Sequence, residues 1–159
     1  MEEHYKPPQS ELGEAPTGLP TPFPTLSEPY KVSGIGLATF LGSSLAGGVL
    51  LYLNEKQRGN PQRGYTLLGM SLLIFALIIG LAILLPVEVP GIVFTAIQIF
   101  AMVQITHSNQ GQQLTYHQSE GHRMASNWKA AGVSLLVLLG LLAVTVPILL
   151  FLDGMAIPF

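Results

Sequence analysis

The stretch Gly34–Asn54, GIGLATFLGSSLAGGVLLYLN, decides the fold class, because it carries no charged residue and is dense in Gly, Ala and Ser. About 20 apolar residues at a rise of 1.5 Å cover the ~30 Å hydrocarbon core of a bilayer, so the stretch is expected to span one. Ala38, Gly42 and Ala46 recur every four residues and share one stripe, and Ser43 with Gly47 repeats the spacing beside it. Small residues on such a stripe let a neighbouring helix approach closely, which drives association in lipid, where the hydrophobic effect between helices is absent.

The composition agrees. Of the 159 residues 49% are hydrophobic and only 10% charged, and the mean hydropathy is +0.49, against about 25% charged residues in an average soluble domain. A formal net charge of −2 leaves no broad basic surface and argues against nucleic acid as a partner. With no cysteine, disulfides, thiolate metal sites and thiol nucleophiles are excluded. The expected fold is all-α, an integral membrane four-helix bundle preceded by a disordered or extended Pro-rich tail. Spans are expected at about 33–53, 65–85, 91–108 and 129–152, with residues 1–31 as the tail and 153–159 as a short C-terminal end.

Outward from the opening stretch, the tail holds Pro7, Pro8, Pro16, Pro20, Pro22, Pro24 and Pro29, a density that favours polyproline II and forbids a packed core. Tyr5, Pro7 and Pro8, and Pro22, Phe23 and Pro24, are its candidate docking residues; the alternative is a passive linker. The segment NEKQRGNPQRG, 54–64, is a short basic turn. In the second span Ala76 and Gly80 offer a further small-residue contact, and Pro86 and Pro90 bracket Glu88 in a tight connection. The third span is short in apolar residues and gains length from its polar end. It carries Gln98 near mid-depth and Gln104 beyond, each read either as an interhelical hydrogen bond or as a point in a polar path. Residues 106–129 form the longest polar connection, closed by Trp128 and Lys129 at the interface, and Pro147 is expected to kink the last span.

The uninterrupted apolar runs of the spans, 34–53, 65–85, 92–105 and 130–152, contain no Asp, Glu, Lys, Arg or His, the groups that mark proton relays, ion paths and intramembrane proteases. Without a histidine at that depth, Ser43, Ser44 and Ser71 have no base and read as packing hydroxyls. His117, Glu120 and His122 are the candidate metal ligands. Their spacing puts the two imidazoles on opposite sides of a continuous helix unless Gly121 breaks it, and no defined ligand motif is matched. No metal, cofactor or catalytic residue is expected. Protonation of the histidines would make this loop more cationic toward anionic headgroups. By loop charge the 54–64 and 106–128 segments are expected in the cytoplasm and both termini outside.

Two segments, LATFLGSSLAGGVLLYLN from Leu37 to Asn54 and GHRMASNWKAAGV from Gly121 to Val133, resemble a group of small four-span bacterial membrane proteins of uncharacterised function. The opening EHYKPPQSEL is similar to Tyr-x-Pro-Pro leaders of other short bacterial membrane proteins. The resemblance implies a bacterial inner-membrane location and no activity. The expected role is non-enzymatic: a structural or accessory subunit in the lipid bilayer that binds a partner membrane protein, or a second copy, by helix packing, its tail, or both. The alternatives are an oligomeric translocation unit for a small molecule, lipid or ion, with Ser43, Ser44, Ser71, Gln98 and Gln104 along a neutral path, and a metal- or pH-responsive regulator using the histidine loop.

Overall fold

A computed structural model describes residues 27–85 and 89–155. The docking candidates Tyr5, Pro7, Pro8, Pro22, Phe23 and Pro24, together with Glu88 and the last four residues, lie outside them. The chain is all-α: α1 Val32–Gln57, α2 Pro61–Leu84, α3 Gly91–Ser119 and α4 Asn127–Met155. All four are long and apolar enough to cross a membrane, as expected of an integral membrane protein.

Local chemistry sets the ends. Asn60 accepts the Arg63 N–H at 3.2 Å and Pro61 occupies the first turn of α2. Gly59 and Gly121 take φ +75° and +72° just past the ends of α1 and α3. There the Asn60 N–H reaches the Glu55 carbonyl (3.0 Å) and the His122 N–H reaches that of His117 (3.2 Å). These are left-handed glycine caps that satisfy the last free carbonyls of each helix. The expected 106–128 loop is corrected here. Residues 106–119 continue α3 for about four further polar turns, because nothing before Gly121 breaks the helix and its inward face finds partners.

The reading of Gly34–Asn54 as a straight span is also corrected. Inside α1, Gly42 (φ −126°, ψ 21°) and Ser43 (φ 69°, ψ −179°) leave helical geometry. In a straight helix Tyr30 and Asn54 would stand about 36 Å apart. Instead the Tyr30 N–H donates to Asn54 Oδ1 at 2.8 Å and Asn54 Nδ2 donates to the Tyr30 carbonyl at 3.1 Å. The arms on either side of residues 42–43 are about 15–20 Å long at helical rise, so only a near-reversal brings their outer ends together. α1 is a helical hairpin with both ends at one pole of the molecule.

The Ala38, Gly42, Ala46 and Gly47 stripe is the inner seam of this hairpin, and all four residues are buried. A β-carbon on Gly42 would lie 2.8 Å from Ala46 Cβ and 2.8 Å from the Ser134 carbonyl oxygen of α4, and one on Gly47 would strike Thr39 Oγ1 and come within 3.2 Å of Met102. The other helices surround the hairpin. α1 touches all three, α2 meets α3 along a short seam, and among the described residues α4 touches only α1. Ile35, Leu50, Leu51, Leu67 and Met102 fill the centre. Two separate antiparallel hairpins joined by a loop are therefore not formed.

Ala76 and Gly80, expected in a close contact, lie on the open side of α2: Ala76 is exposed and a β-carbon on Gly80 would meet nothing within 4 Å. Tyr30 also pairs with Ala125, and the Ala125 N–H donates to the Pro29 carbonyl at 3.0 Å. The described N-terminal end thus shares a pole with the 58–60 turn and the 120–126 connection, while α4 carries the C-terminal end to the other pole. Because the first apolar stretch turns back on itself, residues 27–31 and the far end of α4 lie at opposite poles of the molecule.

Candidate functional site

A helix broken inside the apolar region strands backbone polar groups, and in lipid such breaks persist only where protein or a water-filled cavity satisfies them. At the hairpin tip the partners are neutral side chains from distant parts of the chain. The Ser44 N–H, first of the second arm, donates to Gln98 Oε1 of α3 at 2.9 Å, and Ser44 Oγ donates to the Ser71 carbonyl of α2 at 3.2 Å. Ser71 Oγ in turn donates to the Leu68 carbonyl at 2.7 Å, against Gly48, where a side chain would collide with it. Three of the expected polar residues, Ser44, Ser71 and Gln98, therefore meet at one point.

Ser43 is the strained member. Its backbone occupies a region almost reserved for glycine, at a cost of about 1–3 kcal/mol, and its buried hydroxyl has no hydrogen-bond partner among the described residues. Gln104 stands elsewhere, exposed on the outer side of α3. No protein-family model, curated protein or solved structure matches this chain. Among the described residues the tip presents amide and hydroxyl groups, which donate and accept hydrogen bonds.

A second polar cluster closes the pole where the hairpin begins and ends. Asn54 Nδ2 donates to Gln110 Oε1 at 2.9 Å, and Gln110 Nε2 donates to the Leu51 carbonyl (3.2 Å) and to Glu55 Oε1 (2.9 Å). Arg58 Nη1 completes the chain on Glu55 Oε1 at 2.5 Å. Glu55 is 1% exposed, so the guanidinium and the amide compensate a carboxylate taken out of water. Asn54, Glu55 and Gln110 were not singled out from the sequence. The available signal was a helix turn past the apolar run in both α1 and α3, each carrying an amide.

Outside this cluster Lys129 Nζ donates to a Glu28 carboxylate oxygen; the ammonium holds the Glu28 carboxyl below its ordinary range, first through that bond and then through its charge. Of the metal candidates, Gly121 does bring His117 and His122 together, with ring centroids 4.8 Å apart and planes at 34°. His117 is buried and its Nε2 lies 3.2 Å from the Arg123 carbonyl oxygen. Glu120 is exposed, and among the described residues no group of three His, Cys, Asp or Glu side chains assembles. The two imidazoles form a tilted contact at the end of α3.

Proposed function

We propose that this chain is a non-enzymatic membrane subunit of the bacterial inner membrane that packs against a partner membrane protein, or a second copy of itself, through the open face of α2. The observation that carries this reading is the fate of the small residues. The stripe in α1 is consumed inside the hairpin, whereas Gly69, Ala76 and Gly80 fall within about 20° of one line on α2. Gly69 and Gly80 have open space where a side chain would stand, and Ala76 is exposed. An uncovered small-residue line in lipid is the surface on which another helix approaches closely. The test is mass measurement after extraction in mild detergent. A complex larger than the monomer that Gly80→Leu dissolves, without loss of the folded monomer, is expected; a wild-type monomer without partner rejects the reading.

The pole with the turn and connection holds Lys31, Lys56, Arg58, Arg63, Arg123 and Lys129, six of the seven basic residues of the chain. The positive-inside rule then supports three crossings and one re-entrant hairpin, with this pole and the tail in the cytoplasm and the C-terminus outside. A reporter fused after Phe159 is expected to read outside and a single cysteine at residue 60 inside.

A second reading, a neutral translocation unit, is favoured by one observation: the unpartnered Ser43 hydroxyl beside the Ser44–Gln98 bond at the tip of a broken helix, a construction that lines solute sites in transporters. Under it, reconstituted protein carries flux that Gln98→Leu abolishes at unchanged expression. Full flux in that variant removes the path.

A further inference from the structure

Between the α1–α2 turn and the polar extension of α3 lies a cavity of about 490 Å³. Arg58, Arg63, His107, Asn109, Gln110 and Gln112 line it. Its floor is built: Gln110 is 2% exposed and ties α3 to Glu55, and Arg58, whose side chain is 16% exposed, is held on the same carboxylate. Arg63 is exposed and directed toward α3 by the bond from its Nη2 to Asn109 Oδ1 at 3.1 Å. No carboxylate lines the opening. Two guanidinium groups less the one buried carboxylate beneath them leave one positive charge, with the exposed Gln112 amide beside it.

The cavity also sits at a particular depth. Tyr65, 58% exposed and two residues past Arg63, packs against Tyr52 with ring centroids 5.0 Å apart and planes tilted by 44°. The apolar run of α3 ends at Ile105, two residues before His107. Tyrosine rings and the end of an apolar run mark the headgroup level of a bilayer, where basic pockets between helices receive anionic headgroups.

We propose that this cavity binds a singly charged phosphodiester, with Arg63, held in place by Asn109 Oδ1, supplying the fork of donors to the phosphate oxygens and Gln112 a flanking amide. A guanidinium fork matches two phosphate oxygens, and a net charge of one matches a phosphodiester. The source is either the headgroup of an anionic lipid reaching in from the adjacent leaflet or a soluble phosphoester from the aqueous phase.

The experiment uses the full-length protein in nonionic detergent, titrated in separate arms with phosphatidylglycerol, phosphatidylcholine and inorganic phosphate, with binding read by native mass spectrometry and thermal shift. Saturation by one phosphatidylglycerol, weakened about tenfold by Arg63→Gln and unaffected by Lys129→Gln at the same pole, is the expected result and assigns the lipid. Competition by millimolar phosphate with the same Arg63 dependence and no lipid preference assigns the soluble phosphoester. Equal weakening by Arg63→Gln and Lys129→Gln, or uptake that never saturates, means diffuse surface charge and overturns the site. Should Arg63→Gln fail to fold, Gln112→Glu, which puts a carboxylate in the opening of an exposed helix face, replaces it with the same expected loss.

Discussion

The hairpin α1 and the helix α4 are apolar segments of similar length, 26 and 29 residues, yet they have opposite fates. In its most apolar stretch 61% of α1 is buried within the molecule, against 6% for α4. The difference lies in side-chain size. α1 carries Gly, Ala and Ser along its seam and can be enclosed by backbone. α4 is a run of Leu and Val whose exposed side chains, among them Leu136, Leu150 and Phe151, suit contact with lipid. Apolar character takes both segments into the membrane, and residue size decides which one other helices surround.

The largest effect that can break this comparison is a side chain in the seam. Gly42→Leu meets Ala46 and the Ser134 carbonyl at distances that force backbone apart, and is expected to cost about 3 kcal/mol or more. Gly132→Leu on α4 enters open space and should change stability by less than about 0.5 kcal/mol. Thermal unfolding of the two variants in one detergent checks both; equal losses would mean that burial does not separate the two helices.

Next comes the clasp. Asn54→Leu leaves the Tyr30 N–H and carbonyl and the Gln110 amide without their shared partner, with an expected loss of about 2 kcal/mol and faster tryptic cleavage after Lys31. Unchanged cleavage would show that the hairpin ends are held by something other than Asn54.

Ser43→Gly sharpens the comparison in the other direction. Glycine adopts φ 69° without the penalty serine carries, so the variant should be stabilised by about 1 kcal/mol, and destabilisation would show that the hydroxyl is needed at the tip. The smallest effect is on pH. Because Lys129 lowers the Glu28 pKa in the folded state, the contribution of this exposed pair is present above the unfolded carboxylate pKa and is lost as pH falls through the lowered value. Glu28→Gln should flatten a slight acid-side decline in melting temperature below about pH 4.5 and leave neutral pH nearly unchanged.

Much of this was legible beforehand, and the parts that were not share one cause. The apolar runs indicated four long helices, and the starts of α1, α3 and α4 lie within a few residues of the expected ones, since hydropathy and Pro90 act locally, whereas the end of α3 lies eleven residues beyond the expected 108. Ser44, Ser71, Gln98 and the small-residue stripe stood out in the sequence, read either as packing and hydrogen-bonding groups or as points on a polar path. Their convergence was not legible, because the Ser44–Gln98 bond joins residues 54 apart and the Asn54–Gln110 bond residues 56 apart. The polar turns of α3 after Ile105 looked like loop for the same reason: their buried face is paid for by side chains on α1.

The stretch from Gly34 to Asn54 marks the boundary between the two kinds of information. By itself the sequence determined that this stretch enters the membrane and packs closely, since both properties follow from residue polarity and size. Only the tertiary structure decided that it turns back at Gly42 and Ser43. Hydropathy carries no direction, and a break that strands the Ser44 N–H is tolerable only once Gln98 accepts it, α4 closes on Gly42, and Asn54 grips the backbone of Tyr30.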